Sequence, residues 1–287
     1  MPSPSFRVLI VGAGYVGRRL GELLREQDGL APLLWVRGED SAAELRTAGF
    51  HVQVGDAADT AAWALLGSAR FDAIVLAASS GRSGADAYRR VFIEAPAQAA
   101  AHQPQARLVL VSSTSVYGQT DGGPVSEASP AEPTTPTGRV LRRAEELALH
   151  HRATVLRVAG IYGPGRSIYL RKLREGTATL DGDGSRRLNQ IHRDDVAGAL
   201  RHVLAEPATG GQIFNAADDT HPTQRELYAW LAERLKLELP PSRPAPTERK
   251  RGNTSKRVAN AKLRATGWAP LYPDYRDGYA AVLEEET

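Results

Sequence analysis

From Phe6 onward, short uninterrupted apolar runs alternate with longer stretches whose apolar positions recur every three or four residues. Phe6-Arg-Val-Leu-Ile-Val11 is a run of the first kind. After a glycine turn, the stretch to Gln27 is of the second kind, with Val16, Leu20, Leu23 and Leu24 on one face. An uninterrupted run fits a strand buried on both faces, and the three-to-four spacing fits an amphipathic helix. The alternation continues through Pro32–Val36 as a strand, Ser41-Ala-Ala-Glu44 as a capping box opening a helix, and Phe50–Val54 and Asp72–Ala77 as strands. An alanine-rich helix near 86–101, a strand at Arg107–Val111, a helix near 138–151 and a strand at Thr154–Val158 extend it. Strand and helix in turn predict an α/β fold, a doubly wound parallel sheet covered on both faces.

After Ile161 the rhythm gives way to loops rich in Gly, Pro and Arg, Gly163-Pro-Gly-Arg166 and Gly182-Asp-Gly-Ser-Arg-Arg187, around a short helix at 168–175. Asp194–Leu204 reads as a helix, Gln212–Asn215 as a late strand and Thr223–Leu237 as an amphipathic helix. Pro240–Pro246 reads as a linker, and the tail mixes a basic segment with Trp268, Tyr272, Tyr275 and Tyr279.

The chain has 287 residues, enough for one large domain or two modest ones. It contains no Cys, which excludes a disulfide framework, a thiolate nucleophile and any cysteine-ligated metal or redox site. No apolar run approaches the ~18 residues of a membrane span. Met1–Ser5 lacks the charged-then-apolar pattern of a secretory signal, so the expectation is a cytoplasmic protein with no membrane partner. Thirty-six basic residues against 33 acidic ones leave +3, too small an excess to be a nucleic-acid footprint. Only five of the basic residues are lysines, Lys172, Lys236, Lys250, Lys256 and Lys262, so chemistry that needs an ammonium has few candidates. His102, His150 and His151 lack carboxylates at ligand spacing, and no metal is expected.

The glycine turn is Gly12-Ala-Gly14-Tyr-Val-Gly17. Between a strand and a helix this spacing is a dinucleotide fingerprint: Gly12 for the tight turn, Gly14 for close approach of the pyrophosphate, Gly17 for packing of helix on strand. Tyr15 and Val16 complete the helix start, whose unpaired N–H groups face the phosphates. About 20 residues on, where a carboxylate would accept from a free ribose 2′-hydroxyl, stands Arg37. A guanidinium there pairs with a 2′-phosphate and favours NADP(H) over NAD(H); the alternative is a solvated Arg37, with Glu39 or Asp40 on the ribose.

Val111-Ser-Ser-Thr-Ser-Val-Tyr-Gly118, the glycine turn, Gly55-Asp56, Leu156-Arg-Val-Ala-Gly-Ile-Tyr-Gly-Pro-Gly165 and Ile191-His-Arg-Asp-Asp-Val196 together resemble the extended short-chain dehydrogenase/reductases, the NAD-dependent epimerase/dehydratase family. The resemblance runs over nearly the whole chain. It implies a Rossmann-type sheet with a small C-terminal substrate-binding domain, divided as 1–162 plus 189–216 for the NAD(P)-binding part and 163–188 plus 217–287 for the substrate elaboration. It implies that Asp56 contacts the adenine, that Ala77 and Ala78 line the cofactor, that Ser113 is the catalytic hydroxyl, and that the protein forms a homodimer. It also implies a Tyr-x-x-x-Lys pair, in which the lysine lowers the pKa of a phenol that exchanges a proton while the nicotinamide exchanges a hydride. Here Thr137 stands where the tyrosine belongs and Leu141 where the lysine belongs, and no Tyr in the chain has Lys four residues later. This departure resembles an atypical subgroup that lacks the pair.

Thr137 has no ionisation near neutrality, so Tyr117 enters as a substitute acid, against the simpler reading of a packed strand-end aromatic. Ser113 either hydrogen-bonds a substrate oxygen or satisfies loop backbone. Arg139, Arg166, Arg187, Asn189 and His192 are the candidate substrate contacts, with Arg157, Arg171, Lys172 and Arg174 in the same basic cluster. The corresponding simpler readings are solvated arginines and a histidine at a helix start. Two functional classes fit. One is an NAD(P)-dependent oxidoreductase or epimerase-like enzyme on a polar, anionic carbonyl or nucleotide-sugar substrate with a nonstandard proton donor. The other is an inactive NADP(H)-binding sensor.

Overall fold

The computed structural model describes residues 6–81, 84–244 and 254–286. In chain order it contains β1 (Val8–Val11), α1 (Tyr15–Asp28), β2 (Leu33–Val36), α2 (Glu39–Thr47), β3 (His51–Val54), α3 (Thr60–Ala64) and β4 (Ala73–Leu76). Next come α4 (Ala85–Arg89), a π-helical turn (Arg90–Glu94), α5 (Ala95–His102), β5 (Arg107–Ser113), β6 (Pro124–Val125), α6 (Pro136–His150), β7 (Thr154–Val158) and β8 (Gly160–Tyr162). The remainder comprises α7 (Ile168–Arg174), β9 (Leu180–Asp181), β10 (Gln190–His192), α8 (Arg193–Ala205), β11 (Ile213–Ala216), α9 (Gln224–Leu235), β12 (Ser242–Arg243), β13 (Arg257–Val258), α10 (Ala261–Arg264) and α11 (Tyr275–Glu285).

Seven strands form one wholly parallel sheet in the order β11-β7-β5-β4-β1-β2-β3. Its central strands β1 and β4 are buried at every position, as the uninterrupted apolar runs require. Helices cover both faces. One apolar core joins α1 and α8 to the sheet through Leu20, Leu24, Leu200 and Val203. The opposite face packs Trp35, Trp63, Ala99 and Ala148. A third cluster, built from Tyr162, Leu173, Leu188, Leu227, Leu231 and Tyr279, gathers the inserted loops with α9 and α11.

Three expectations need correction. The helix expected to open at Ser41 begins at Glu39, because Gly38 is extended and Glu39 and Asp40 supply the acidic first turn. The alanine-rich stretch is not one α-helix, since the π-helical turn interrupts it. Within the expected linker, Ser242 and Arg243 pair in parallel with β9, while Ala245 and Pro246 lie outside the described residues. Among the described residues no helix is long and apolar enough to cross a membrane.

Candidate active site

Parallel strands all present their carboxyl ends on one edge, and the side chains that could meet a dinucleotide lie along that edge. In sheet order, Asp56 follows β3, Arg37 follows β2, Gly12 follows β1, Ala77 follows β4, and Ser113 ends β5. Four inter-strand spacings of about 4.8 Å separate the first from the last, roughly 19 Å. The residues therefore form a row rather than a cluster.

The glycine turn is built for close approach. Gly12 has φ +93, and a Cβ there would collide with the backbone of Ala77 and Ala78, so this position admits only glycine. The Gly12 and Ala13 amides donate to the Trp35 carbonyl at 2.9 and 3.1 Å, which anchors the turn to β2. A Cβ on Gly17 would strike the Gly12 carbonyl, so α1 packs directly on the turn. Gly14 is different: it is exposed with no neighbour within 4 Å of a notional Cβ, and α1 has neither a side-chain cap nor an acidic first turn. Among the described residues no side chain occupies this helix end, and its positive end with uncapped N–H groups fits a pyrophosphate.

At the β2–β3 end of the row Arg37 is exposed. Asp56 accepts from the Ala58 amide at 2.9 Å and from Arg90 Nη2 at 3.0 Å, and the same Nη2 reaches Asp59 at 2.8 Å. Partial burial would raise the Asp56 pKa, but the Ala58 amide and the Arg90 and Arg37 guanidiniums hold it below the usual carboxylate range. Arg90 went unnoticed in the sequence because it lies 34 residues from Asp56.

Ser113 Oγ accepts from the Ser115 amide at 3.2 Å, capping a short turn at Thr114–Val116. That uses one lone pair and leaves the hydroxyl proton available to a ligand oxygen. Thr137 lies in the first turn of α6, its hydroxyl 3.5 Å from Thr135 Oγ1. Leu141 is 3% exposed and packed in the main core, which offers no seat for an ammonium.

The expectation of Tyr117 as an acid does not survive its surroundings. The side chain is fully buried, its hydroxyl donates to Asn215 Oδ1 at 2.9 Å and accepts from Arg157 Nη1 at 2.8 Å, and burial raises its pKa. Arg157, expected near the pocket, is instead the centre of that buried network: Nε and Nη2 reach the two oxygens of Glu145 at 2.9 and 2.7 Å, and Ser112 Oγ donates to Glu145 at 2.7 Å.

His192 and Asn189 are likewise corrected from substrate contacts to structural ones. His192 is 1% exposed, its Nδ1 accepts from the Asp194 amide as the N-cap of α8, and burial pushes its pKa down to about 4. The Asn189 amide is spent on β13, donating to the Lys256 carbonyl at 3.0 Å and accepting from the Val258 amide at 2.8 Å. Arg187 Nη1 donates to the His221 carbonyl at 3.0 Å and lies 3.5 Å from Glu226. Arg171 and Arg174 pair with Glu175 and Glu286 on the exposed face of α7. Arg139 is exposed and donates to the Thr134 carbonyl. With Arg89, Arg143, Ile93, Val140 and Leu147 it lines a groove of about 600 Å³ between α4 and α6. Arg166 is exposed and stands over the Tyr15 ring.

Of the five lysines, Lys256 has surroundings that the sequence did not indicate. Lys256 is 3% exposed, and its ammonium donates to the Tyr117 carbonyl at 2.9 Å and Thr254 Oγ1 at 2.7 Å, with no carboxylate beside it among the described residues. Burial pushes its pKa down to about 8.

A parallel seven-stranded sheet with an open glycine cradle at its carboxyl edge defines a dinucleotide-type Rossmann site. The sequence pattern of the NAD dependent epimerase/dehydratase family matches residues 8–217, and the chain belongs to that family. Protein YeeZ of Escherichia coli K12 is 36% identical over 175 residues, 59% of this chain and 61% of YeeZ, so the match spans less than two thirds of that relative. The structure of a functionally unknown conserved protein from Silicibacter pomeroyi DSS superposes with a TM-score of 0.78 at 27% identity, over 98% of this chain and 99% of that one. MoeE5, solved with UDP-glucose and NAD, superposes with a TM-score of 0.80 at 25% identity, over 97% of each chain.

Proposed function

We propose that the protein is an NADP(H)-dependent oxidoreductase or epimerase-like enzyme acting on a polar, anionic carbonyl or nucleotide-sugar substrate. The observation that carries this reading is the open cradle at Gly14, aligned along consecutive strand ends with Asp56, Arg37, Ala77 and Ser113. Gly14, Tyr15, Val16 and Gly17 would bind the pyrophosphate through backbone N–H groups, Arg37 would pair with a 2′-phosphate, and Ala77 and Ala78 would line the cofactor. A nicotinamide dinucleotide bound there supplies or accepts the hydride.

In this reading Ser113 holds the reacting oxygen with its free hydroxyl proton, and Arg166, an exposed cation without a carboxylate partner among the described residues, meets the anionic group. The oxygen that takes up the hydride's charge must also gain a proton, and this comes from a nonstandard donor, since the Thr137 hydroxyl is not acidic and the Tyr117 phenol is enclosed. The burial of Leu141 in apolar core favours one competing reading, an inactive NADP(H) sensor, because no lysine can stand there to activate a neighbouring phenol.

Fluorescence titration with NADPH and NADH, followed by a panel of nucleotide sugars and simple anionic carbonyls with product analysis, tests the proposal. It predicts tighter NADPH binding, turnover of at least one panel member, and loss of that turnover in Ser113→Ala with cofactor binding retained. Tighter NADH binding contradicts the role of Arg37, and NADPH binding with no product from any panel member favours the sensor.

A further inference from the structure

Tyr15 opens α1 inside the glycine turn, yet its side chain reaches the loop after β8. The hydroxyl donates to the Pro164 carbonyl at 3.0 Å, 149 residues further along the chain. The guanidinium carbons of Arg166 and Arg193 each stand 5.2 Å from its ring centroid. Gly163 has φ +150, and a Cβ there would lie 2.6 Å from the Tyr15 hydroxyl, so the loop passes close over the ring only because this residue has no side chain. The loop closes on itself through Gly163 N–H to the Arg166 carbonyl at 3.2 Å and Arg166 N–H to the Gly163 carbonyl at 3.0 Å. Arg193 is held by Asp194 at 2.9 Å, whereas Arg166 has no carboxylate partner among the described residues.

We propose that Tyr15 is a positioning residue that couples the two binding events: filling of the cradle at Gly14–Gly17 further restrains Tyr15, and through its contacts with Pro164 and Arg166 Tyr15 steadies the Gly163–Arg166 loop that presents Arg166 to an anionic substrate. The inference rests on the cofactor reading above and adds a coupling between the two sites to it. Only two side-chain torsions separate the backbone from the ring, and the hydroxyl contact with Pro164 and the flanking guanidiniums restrict them, so restraint of the backbone carries to the hydroxyl and the stacking face. Burial raises the Tyr15 pKa to about 12, so the hydroxyl remains a donor to Pro164 at any working pH. A coupling of this kind corresponds to at least about a fivefold effect.

Hydrogen exchange of the full chain, with and without NADPH at concentrations that saturate each variant, tests it. In the unaltered protein NADPH should slow exchange about fivefold or more at the Gly163 and Arg166 amides as well as in the Gly12–Arg18 segment. In Tyr15→Phe, which removes only the hydroxyl, the Gly12–Arg18 segment should remain protected while most of the slowing at 163–166 is lost. Arg166→Gln, which leaves the hydroxyl contact, should retain a part of it. Equal slowing at 163–166 in Tyr15→Phe, or none in the unaltered protein when Gly12–Arg18 is protected, overturns the coupling. If NADPH protects neither segment, the cofactor reading fails, and the coupling fails with it.

Discussion

Among the helices that begin at the carboxyl edge of the sheet, α1 and α6 have N-termini finished in opposite ways. At α1, Gly14 caps nothing, no acidic side chain enters the first turn, and the space before the helix is open. At α6, Thr135 Oγ1 accepts from the Gly138 amide at 3.1 Å, Pro136 fills the first position, and a Cβ on Gly138 would lie 2.6 Å from Pro133 and 2.9 Å from Thr135. The first end leaves its donors for a ligand, and the second satisfies them within the chain. The family resemblance implies chemistry at both. Only the first retains the groups that chemistry requires, since α6 carries Thr137 and Leu141 instead of a tyrosine and a lysine. Binding and proton transfer are thus separable in this fold, because they depend on different helix ends.

The largest expected effect lies behind the α6 end. Arg157→Leu removes both guanidinium contacts from the buried Glu145, leaving it the Ser112 hydroxyl at 2.7 Å and Arg142 Nη1 at 3.8 Å, and should lower unfolding free energy by up to about 3–5 kcal/mol in urea denaturation. If the loss is much smaller, the buried network does not support α6 as described.

At the α1 end, Gly12→Ala forces a methyl group into the backbone after β4 at a left-handed φ. It should abolish measurable NADPH binding and cost about 1–3 kcal/mol of stability, read by the same titration and melt. Retained binding would show that the turn tolerates a side chain and is not a cradle.

A third test concerns the lysine that the α6 end does not have. Lys256 has a folded pKa of about 8 against 10.5 for a free side chain, so the unfolded chain binds more protons between these values and stability rises with pH across that window. At about 1.4 kcal/mol per pH unit, the rise is at most about 3 kcal/mol. The gain is lost as pH falls from 10.5 to about 8, and below that both states are protonated and the contribution is flat. Lys256→Met should flatten the profile between pH 8 and 10.5, and an unchanged slope would mean that the ammonium is not desolvated.

The smallest effect falls on the exposed Arg37. Arg37→Ala should weaken NADPH binding about tenfold and leave NADH within about twofold, consistent with loss of one charge-assisted contact. Equal losses for both cofactors would assign Arg37 to a contact other than the 2′-phosphate.

The main sheet was legible because β1, β4 and β7 are buried at every position and β5 over Leu108–Leu110, and the cradle because its glycine spacing is local. The paired strands β8–β10, β9–β12 and β6–β13 were not, since two or three residues carry no period and their partners are distant in sequence. Distance also hid the roles of Arg157, Lys256 and His192. A basic residue near a predicted pocket has the same sequence signature whether it faces solvent, a ligand or a buried carboxylate. For Arg157 the deciding partners, Glu145 and Tyr117, are 12 and 40 residues away. Thr137 and Leu141 were readable as substitutions, but that Leu141 sits in apolar core required the packing of α6.

The central claim is that the α1 end binds a nicotinamide dinucleotide phosphate while the α6 end contributes no acid. Stopped-flow oxidation of bound NADPH with a reducible anionic carbonyl, compared between the unaltered protein, Ser113→Ala and Thr137→Val, addresses it most directly. The account predicts that Ser113→Ala slows oxidation about 100-fold or more, as when an oxyanion donor is removed, and that Thr137→Val leaves it within about threefold. A hundredfold loss in Thr137→Val with Ser113→Ala unaffected would contradict it.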